Sequence, residues 1–199
     1  MQNNKKVRVI LVTDGDKAAQ KAVEESAHAL NLRCISASAG NPTPIDGQEI
    51  VNLVKKAPYD PVLIMFDDRG NPGKWQGEGA LEYVASHPDI QVLGAVAVAS
   101  NTGDYQGIEA DVCIDSEGHF IEDASVDKRG HKKNTINHTP IILGDTVDVL
   151  NEFNIPVIIG VGDLGKMDNK DTVLKGCPIT KKAIEEILKR NGIQHERLQ

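Results

Sequence analysis

Short apolar runs alternate with amphipathic stretches through the first hundred residues. Residues 7–12, 61–66 and 91–99 are apolar at nearly every position and are rich in β-branched or small side chains. That pattern is typical of parallel strands that are buried on both faces. Between the runs, apolar residues recur at helical spacing, as over 18–30, where lysines and glutamates occupy the other face. Strands that alternate with amphipathic helices predict an α/β fold with right-handed crossovers and a largely parallel sheet.

Turn and cap residues set the limits of the other predicted elements. Asp46 and Glu49 have the spacing of a capping box in front of a helix. Pro178 is tolerated at the start of the last helix, and Gly192 is suited to end it. The remaining predictions are a short strand over 33–36, a glycine-rich loop over 67–79, a helix over 144–153 and a fifth strand over 156–159.

The pattern breaks after residue 100. Residues 101–140 are polar and punctuated by glycine, with two short apolar runs that predict a hairpin, over 110–114 and 119–121. Within this segment, 128–133 is a basic run, which we interpret as a solvated flexible loop, with contact to anionic headgroups as the alternative. We therefore predict a single α/β domain over 7–190, doubly wound and Rossmann- or flavodoxin-like. Residues 101–140 are predicted to form an irregular insertion or a β arm within it. A β arm would serve contacts between copies in a homo-oligomer.

Composition narrows the function classes. The 29 acidic and 22 basic residues give a net charge of −7, which argues against a broad basic face for nucleic acid. Cys34, Cys113 and Cys177 show no metal-ligand or redox spacing and are interpreted as reduced thiols. The polar start of the chain does not look like a signal peptide, and no apolar run is long enough to span a bilayer. We expect a soluble protein.

Carboxylates follow three of the predicted strands. If strands one, three and five run side by side in the same direction, their carboxyl ends share one edge, where open α/β folds place ligands. Six acidic side chains are then expected at that edge: Asp14, Asp16, Asp67, Asp68, Glu78 and Asp163. Asp60 precedes the third strand and is expected at the opposite edge. Such crowding is costly unless water, a cation or backbone donors offset it.

Ser100 after the fourth strand and Lys166 after the fifth complete a candidate site. With the aspartates, they resemble the layout of phosphate-accepting receiver domains, and Asp14 with Asp16 also resembles the acidic pair of toprim domains. If a metal binds, Mg²⁺ held by Asp14, Asp16, Asp67 and Asp68 is the expectation; no other cofactor is predicted. The alternative is structural, because strand-end aspartates commonly cap helices and form turns.

Other catalytic motifs are weak or missing from the sequence. Residues 160–165 match GxGxxG after a strand, but a polar, loop-like stretch follows where a dinucleotide site needs a helix. There is no phosphate-loop motif, no HExxH and no GxSxG. The sequence therefore assigns no catalytic residue.

Several blocks of the chain resemble one family. They are 9–16, 38–44, 61–70, 94–102, 144–150, 160–167 and 178–180. Their order and sequence are similar to the soluble stage V sporulation protein AE family of endospore-forming bacteria, over roughly residues 7 to 190. Residues 116–137 are not matched.

The resemblance implies a function in spores. It suggests a non-enzymatic accessory protein of the stage V sporulation A system. This accessory is expected to support spore germination and the handling of dipicolinic acid. The expected location is peripheral, at the spore inner membrane, and the expected partners are integral-membrane proteins, among them a germinant-receptor-like subunit. The resemblance transfers no catalytic residues. A metal- or phosphate-binding enzyme or switch at the acidic edge is the alternative function.

Overall fold

A computed structural model describes residues 5–69, 75–100, 106–135, 138–144 and 146–193. A central sheet organises them, with strands in the order β2 (Arg33–Cys34), β3 (Val62–Met65), β1 (Val7–Val12), β4 (Ile90–Val98), β11 (Ile158–Val161), β6 (Val112–Ile114) and β7 (Phe120–Ile121). All neighbouring pairs are parallel except the last, in which β7 runs antiparallel to β6. The predicted doubly wound, mostly parallel α/β fold is confirmed.

Helices cover both faces of this sheet. Helices α1 (Lys17–Ala29) and α4 (Pro178–Arg190) pack on one face, and α2 (Gly47–Lys56) and α3 (Gln76–Ser86) on the other. Along β1, alternate residues serve the two cores, and all are fully buried from the third position on. This two-sided burial explains the continuous apolar runs of the sequence. None of the helices in the described ranges is long and apolar enough to cross a bilayer.

The strand order creates a switch point at the carboxyl edge. The chain passes from β1 to β2 at one edge of the sheet and returns to β3, which lies beside β1. The connection after β3 then crosses β1 to reach β4, and β11 lies beyond β4. Strand β4 lies between β1 and β11, so the expectation that strands one, three and five are direct neighbours is wrong. All three still run in the same direction, so their carboxyl ends open onto one crevice, as expected at a switch point.

The segment after β4 contributes to the sheet. Its first hairpin supplies β6 and β7, and smaller pairings join β5 (Ile108–Glu109) to β10 (Ile141–Ile142) and β8 (Ser125–Val126) to β9 (Lys132–Lys133). Val126 is 3% exposed, so the β8–β9 hairpin is seated on the core. The basic run is the turn and second strand of this hairpin, not the flexible loop of the first interpretation. Its backbone is paired with β8, while most of its side chains are exposed.

Two predicted helices have bounds that are wrong by more than two residues, while the strands predicted over 33–36 and 156–159 are observed over Arg33–Cys34 and Ile158–Val161. Helix α3 begins at Gln76, inside the predicted loop 67–79, because the Asp68 carboxylate accepts hydrogen bonds from the first-turn N–H groups. Residues 70–74 of that predicted loop lie outside the described residues. The predicted helix over 144–153 is a 3₁₀ helix over Asp148–Glu152. Asp148 accepts a 2.7 Å hydrogen bond from the N–H of Gly107, so the polar residues of this stretch fasten it to the insertion.

Candidate functional site

A cavity of about 490 Å³ lies over the carboxyl ends of β1, β3, β4 and β11. We call it the acidic crevice. Its lining comes from five separate parts of the chain: Thr13, Asp14, Asp16, Asn41, Asp67, Arg69, Val98, Ala99, Ser100, Asp163 and Lys166. The structure thus brings together six of the eight side chains proposed from the sequence, from positions 14 to 166 of the chain.

The close approach of the loops after β1 and β3 depends on a glycine. The Gly15 N–H donates to Asp67 Oδ2 at 3.2 Å. A Cβ at Gly15 would lie 2.7 Å from the carbonyl oxygen of Gly40 and 3.1 Å from the Cβ of Asp67, so a side chain there would push the loops apart. Asp67 is 6% exposed and is also held through its backbone, whose N–H donates to Thr43 Oγ1 at 2.9 Å. This carboxylate is therefore set in a defined position.

A lysine joins the two sides of the crevice. Lys166 Nζ lies 2.6 Å from Asp16 Oδ2 and 3.5 Å from Asp163 Oδ2. Asp16 also caps α1, because its Oδ1 accepts hydrogen bonds from two N–H groups in the first turn at 2.8 and 3.0 Å. Burial acts to raise the pKa of Asp16, but Lys166 and these donors outweigh it and lower that pKa. Burial prevails at Asp163, where the pKa is raised despite Lys166.

Asp14 is the most perturbed carboxyl group of the crevice. Burial raises its pKa to about 8, and the negative charges of Asp16 and Asp67 add to the shift. The Asp16 N–H, 3.3 Å from Asp14 Oδ1, and the charge of Lys166 oppose it only in part. Asp14 therefore carries a proton at neutral pH. A cationic ligand that displaced this proton would relieve the crowding, because an added positive charge favours the ionised form.

Two of the predicted acidic side chains have a different position. Asp68 is fully buried and does not line the crevice. Its carboxylate accepts hydrogen bonds from the N–H groups of Gly77 at 2.7 Å and Glu78 at 2.6 Å. Glu78 lies in the first turn of α3 and is 8% exposed. For Asp68 the structural alternative of a helix cap therefore describes the observed contacts. Asp60 lies at the opposite edge as expected, bound by Arg8.

Sequence reasoning missed three polar lining residues, Thr13, Asn41 and Arg69. Thr13 directly follows β1, and its Oγ1 accepts a 2.9 Å hydrogen bond from the Val98 N–H, which locks the ends of β1 and β4 together. Arg69 has a φ of +61°, unusual for a residue with a side chain, and contacts Asn41 across the mouth of the crevice. Nearness in the chain to Asp14 and Asp67 was the available signal for Thr13 and Arg69, and there was no such signal for Asn41.

The chemistry of the crevice is that of a binding site with mixed charge. Four carboxyl groups, one lysine, one arginine and the Ser100 hydroxyl surround it. Among the residues that the structure describes, no three His, Cys, Asp or Glu side chains form an arrangement that would hold a metal ion. Mg²⁺ at Asp14, Asp16, Asp67 and Asp68 stays a prediction, and Asp68 faces α3.

Comparison with known families identifies the chain. The family described as Stage V sporulation protein AE1 matches residues 8–191. No curated protein and no solved structure gives a match. The family match runs from β1 to the end of α4 and therefore includes every strand that lines the crevice. The chain belongs to the stage V sporulation protein AE family, as the sequence resemblance indicated.

Proposed function

We propose that this protein is a non-enzymatic accessory of the stage V sporulation A system that supports spore germination and the handling of dipicolinic acid. The observation that carries the proposal is the family match over residues 8–191, which gives the protein a sporulation-related role. We further propose that it acts peripherally at the spore inner membrane. Its partner there is an integral-membrane protein related to germinant-receptor subunits.

The state of the crevice supports binding over turnover. A carboxylate or amine acts as a nucleophile only when it is deprotonated and accessible. Asp14 holds its proton at neutral pH because its pKa is raised to about 8. Lys166 is engaged by two carboxylates, and its pKa is raised by Asp16 and Asp163 although burial opposes this. Both side chains are thus suited to recognise a ligand and poorly suited to attack one.

A second candidate is a metal- or phosphate-responsive switch in the same crevice. The observation that favours it is the meeting of Asp14, Asp67, Ser100 and Lys166 around one cavity at the carboxyl edge. Hard cations take oxygen ligands, and a hydroxyl with a lysine could contact phosphoryl oxygens. A Mg²⁺ or Mn²⁺ titration followed by calorimetry tests it: no heat and no thermal shift at about millimolar metal would remove this candidate.

A genetic experiment separates the two. A deletion strain is compared with strains that carry Asp14→Asn with Asp67→Asn, or Asp60→Asn as the control from the opposite edge. Spore yield, dipicolinic acid release on germination and recovery of membrane partners by crosslinking are measured. We expect the deletion to slow release and the control to behave as wild type. Normal germination in the deletion strain would overturn the accessory proposal.

The double variant then reports on the crevice. If the folded protein supports germination and retains its partners, the crevice is structural and the accessory acts through another surface. If germination fails while the variant stays folded, the crevice takes part in the function and the switch becomes the better description. Thermal unfolding of the purified variants establishes that they are folded.

A further inference from the structure

A second cavity adjoins the acidic crevice and has the opposite character. It measures about 190 Å³ and lies between the β8–β9 hairpin and the end of β4. We call it the basic cavity. Two lysines, Lys128 and Lys133, line it together with the polar residues Ser100 and Thr135, and Ile141 and Leu143 contribute apolar surface. Ser100 also lines the acidic crevice, so the two cavities share a wall.

The hairpin that carries the lysines is fixed to the rim of the sheet. The carbonyl oxygen of Lys128 accepts a 2.8 Å hydrogen bond from the Asp163 N–H, and that of Gly130 accepts one from the Ser116 N–H, also at 2.8 Å. A Cβ at Gly162 would lie 2.6 Å from the nitrogen of Gly130, so the hairpin turn sits directly on the loop after β11. The backbone that holds these lysines is therefore well placed for a defined site.

The cations of the hairpin divide into two groups. Arg129 and His131 pair with Asp168 at 4.0 and 2.9 Å, and Lys132 pairs with Asp123 at 2.9 Å. Lys128 and Lys133, by contrast, have no ion pair with any residue in the described ranges. The two lysines that line the cavity are thus not held in ion pairs with described residues, although the charge of Lys128 also lowers the pKa of Asp163 against the effect of burial.

A buried hydroxyl in the same cavity points to a ligand. Thr135 Oγ1 is buried and has no hydrogen-bond partner among the residues that the structure describes. A buried polar atom without a partner costs about 1–3 kcal/mol, and such atoms in native proteins usually have a specific reason. The one acidic residue of the lining, Asp127, is used within the turn, where its Oδ1 accepts from the N–H groups of Arg129 at 2.8 Å and His131 at 2.9 Å. An incoming anion would therefore meet donors.

We propose that the basic cavity binds a small anion through carboxylate or phosphate oxygens, with Lys128 and Lys133 as charge partners and the Thr135 hydroxyl as a hydrogen-bond donor. The apolar wall of Ile141 and Leu143 suits a ligand that has a nonpolar part beside its charged group. This site lies next to the acidic crevice. The same edge of the sheet would therefore bind a negatively charged group in one cavity and a positively charged group in the other. The inference is independent of the proposed function in spores.

Calorimetric titration of the full chain with inorganic phosphate and, separately, with benzoate tests the proposal. Lys128→Met and Lys133→Met remove the charges, and Lys132→Met is the matched control, because that lysine is adjacent in sequence but pairs with Asp123. We expect saturable binding of at least one anion, weakened about tenfold by each cavity substitution and less than about twofold by the control. The anion that binds more tightly identifies the ligand as a phosphate or a carboxylate.

Thr135→Val keeps the shape of the side chain and removes the hydroxyl. It is expected to weaken binding about fivefold and to leave the protein at least as stable, since it deletes an unpartnered buried group. The proposal is overturned if neither anion binds up to about 10 mM, or if Lys132→Met weakens binding as much as the cavity substitutions do. The second result would mean a general attraction to the basic hairpin. Thermal unfolding of each variant confirms that it is folded.

Discussion

The two edges of the central sheet treat their aspartates in opposite ways. At the amino edge, Asp60 accepts hydrogen bonds from the Arg8 backbone N–H and from its guanidinium, at 2.8 to 3.0 Å. These bonds lower the pKa of Asp60 against a smaller opposing effect of burial. At the carboxyl edge, Asp14 has one weak backbone donor, and burial beside Asp16 and Asp67 raises its pKa to about 8. Asp60 is neutralised within the chain, and Asp14 is not.

The difference teaches where this molecule has room for a ligand. A carboxylate that is fully paired inside the fold contributes to stability and has little left to offer a partner. One that keeps its proton because it is buried beside negative charges gains from any cation or donor that enters. Function is therefore expected at the carboxyl edge, and the contrast can be tested one residue at a time.

The largest expected effect is on the pH dependence of stability, through Asp14→Asn. The folded pKa of about 8 lies above the unfolded value of 3.8, so the folded state holds a proton that the unfolded state releases. The contribution of Asp14 is present below about pH 4 and is lost as the pH rises through about 8, by about 1.4 kcal/mol per pH unit. Asp14→Asn should be several kcal/mol more stable relative to wild type at pH 9 than at pH 5.

Urea unfolding at both pH values measures this difference, and Asp60→Asn is the control. Because the folded pKa of Asp60 is lowered, its contribution is fully present above the unfolded pKa and does not change between pH 5 and pH 9. Parallel stability curves for wild type and Asp14→Asn over that range would contradict the assignment of a retained proton to Asp14.

A second substitution tests how much a buried carboxylate contributes to stability when backbone N–H groups donate hydrogen bonds to it. Asp171 is fully buried and close to the crevice in sequence, but it accepts hydrogen bonds from the N–H groups of Gly165 at 3.0 Å, Ile179 at 2.7 Å and Thr180 at 3.0 Å. Asp171→Ala leaves two donors at the start of α4 and one in the loop after β11 unsatisfied, and should cost about 3 kcal/mol in the free energy of unfolding. A loss below about 1 kcal/mol would mean that the backbone relaxes to satisfy them.

Much of this arrangement could be predicted from the sequence, and the failures have physical causes. Apolar runs report burial on both faces, so β1, β3 and β4 were found within one or two residues. Strand ends then placed Asp14, Asp67 and Asp163 at one edge. Strand pairing, however, is set by contacts between residues far apart in the chain. The position of β4 between β1 and β11, and the packing of the β8–β9 hairpin on the core, therefore could not be predicted.

Side-chain direction was the other limit. Asp67 and Asp68 are neighbours in the chain, yet one lines the crevice and the other caps α3, since adjacent residues after a strand point to opposite sides. Asp148 likewise was expected in a helix but binds the backbone of the insertion. Periodicity alone does not distinguish an aspartate that faces a ligand from one that satisfies an N–H group.

The third prediction breaks the pair at the amino edge. Asp60→Asn keeps the shape of the side chain but removes its charge and turns one carboxylate oxygen into an NH₂ group, which cannot accept a hydrogen bond from Arg8. The side chain of Asp60 is 15% exposed and that of Arg8 is 30% exposed. We expect a loss of about 1–2 kcal/mol at pH 7 that disappears as the pH falls through the folded pKa of Asp60. Equal destabilisation at pH 7 and at low pH would show that packing, not charge, is responsible.

The smallest expected effect on stability comes from Lys166→Met, which sharpens the comparison most directly. Lys166 is 44% exposed, so the loss of its contacts with Asp16 and Asp163 should cost less than about 1 kcal/mol. The pKa values of Asp163 and Asp14 should both rise, because the lysine charge lowers each of them in the intact protein. Carboxyl chemical shifts followed by NMR across the pH range measure this, with the Asp60 signal unchanged as the internal control. If the Asp14 and Asp163 signals titrate as in wild type, Lys166 does not govern the charge of the crevice, and the contrast between the two edges rests on burial and on the neighbouring carboxylates.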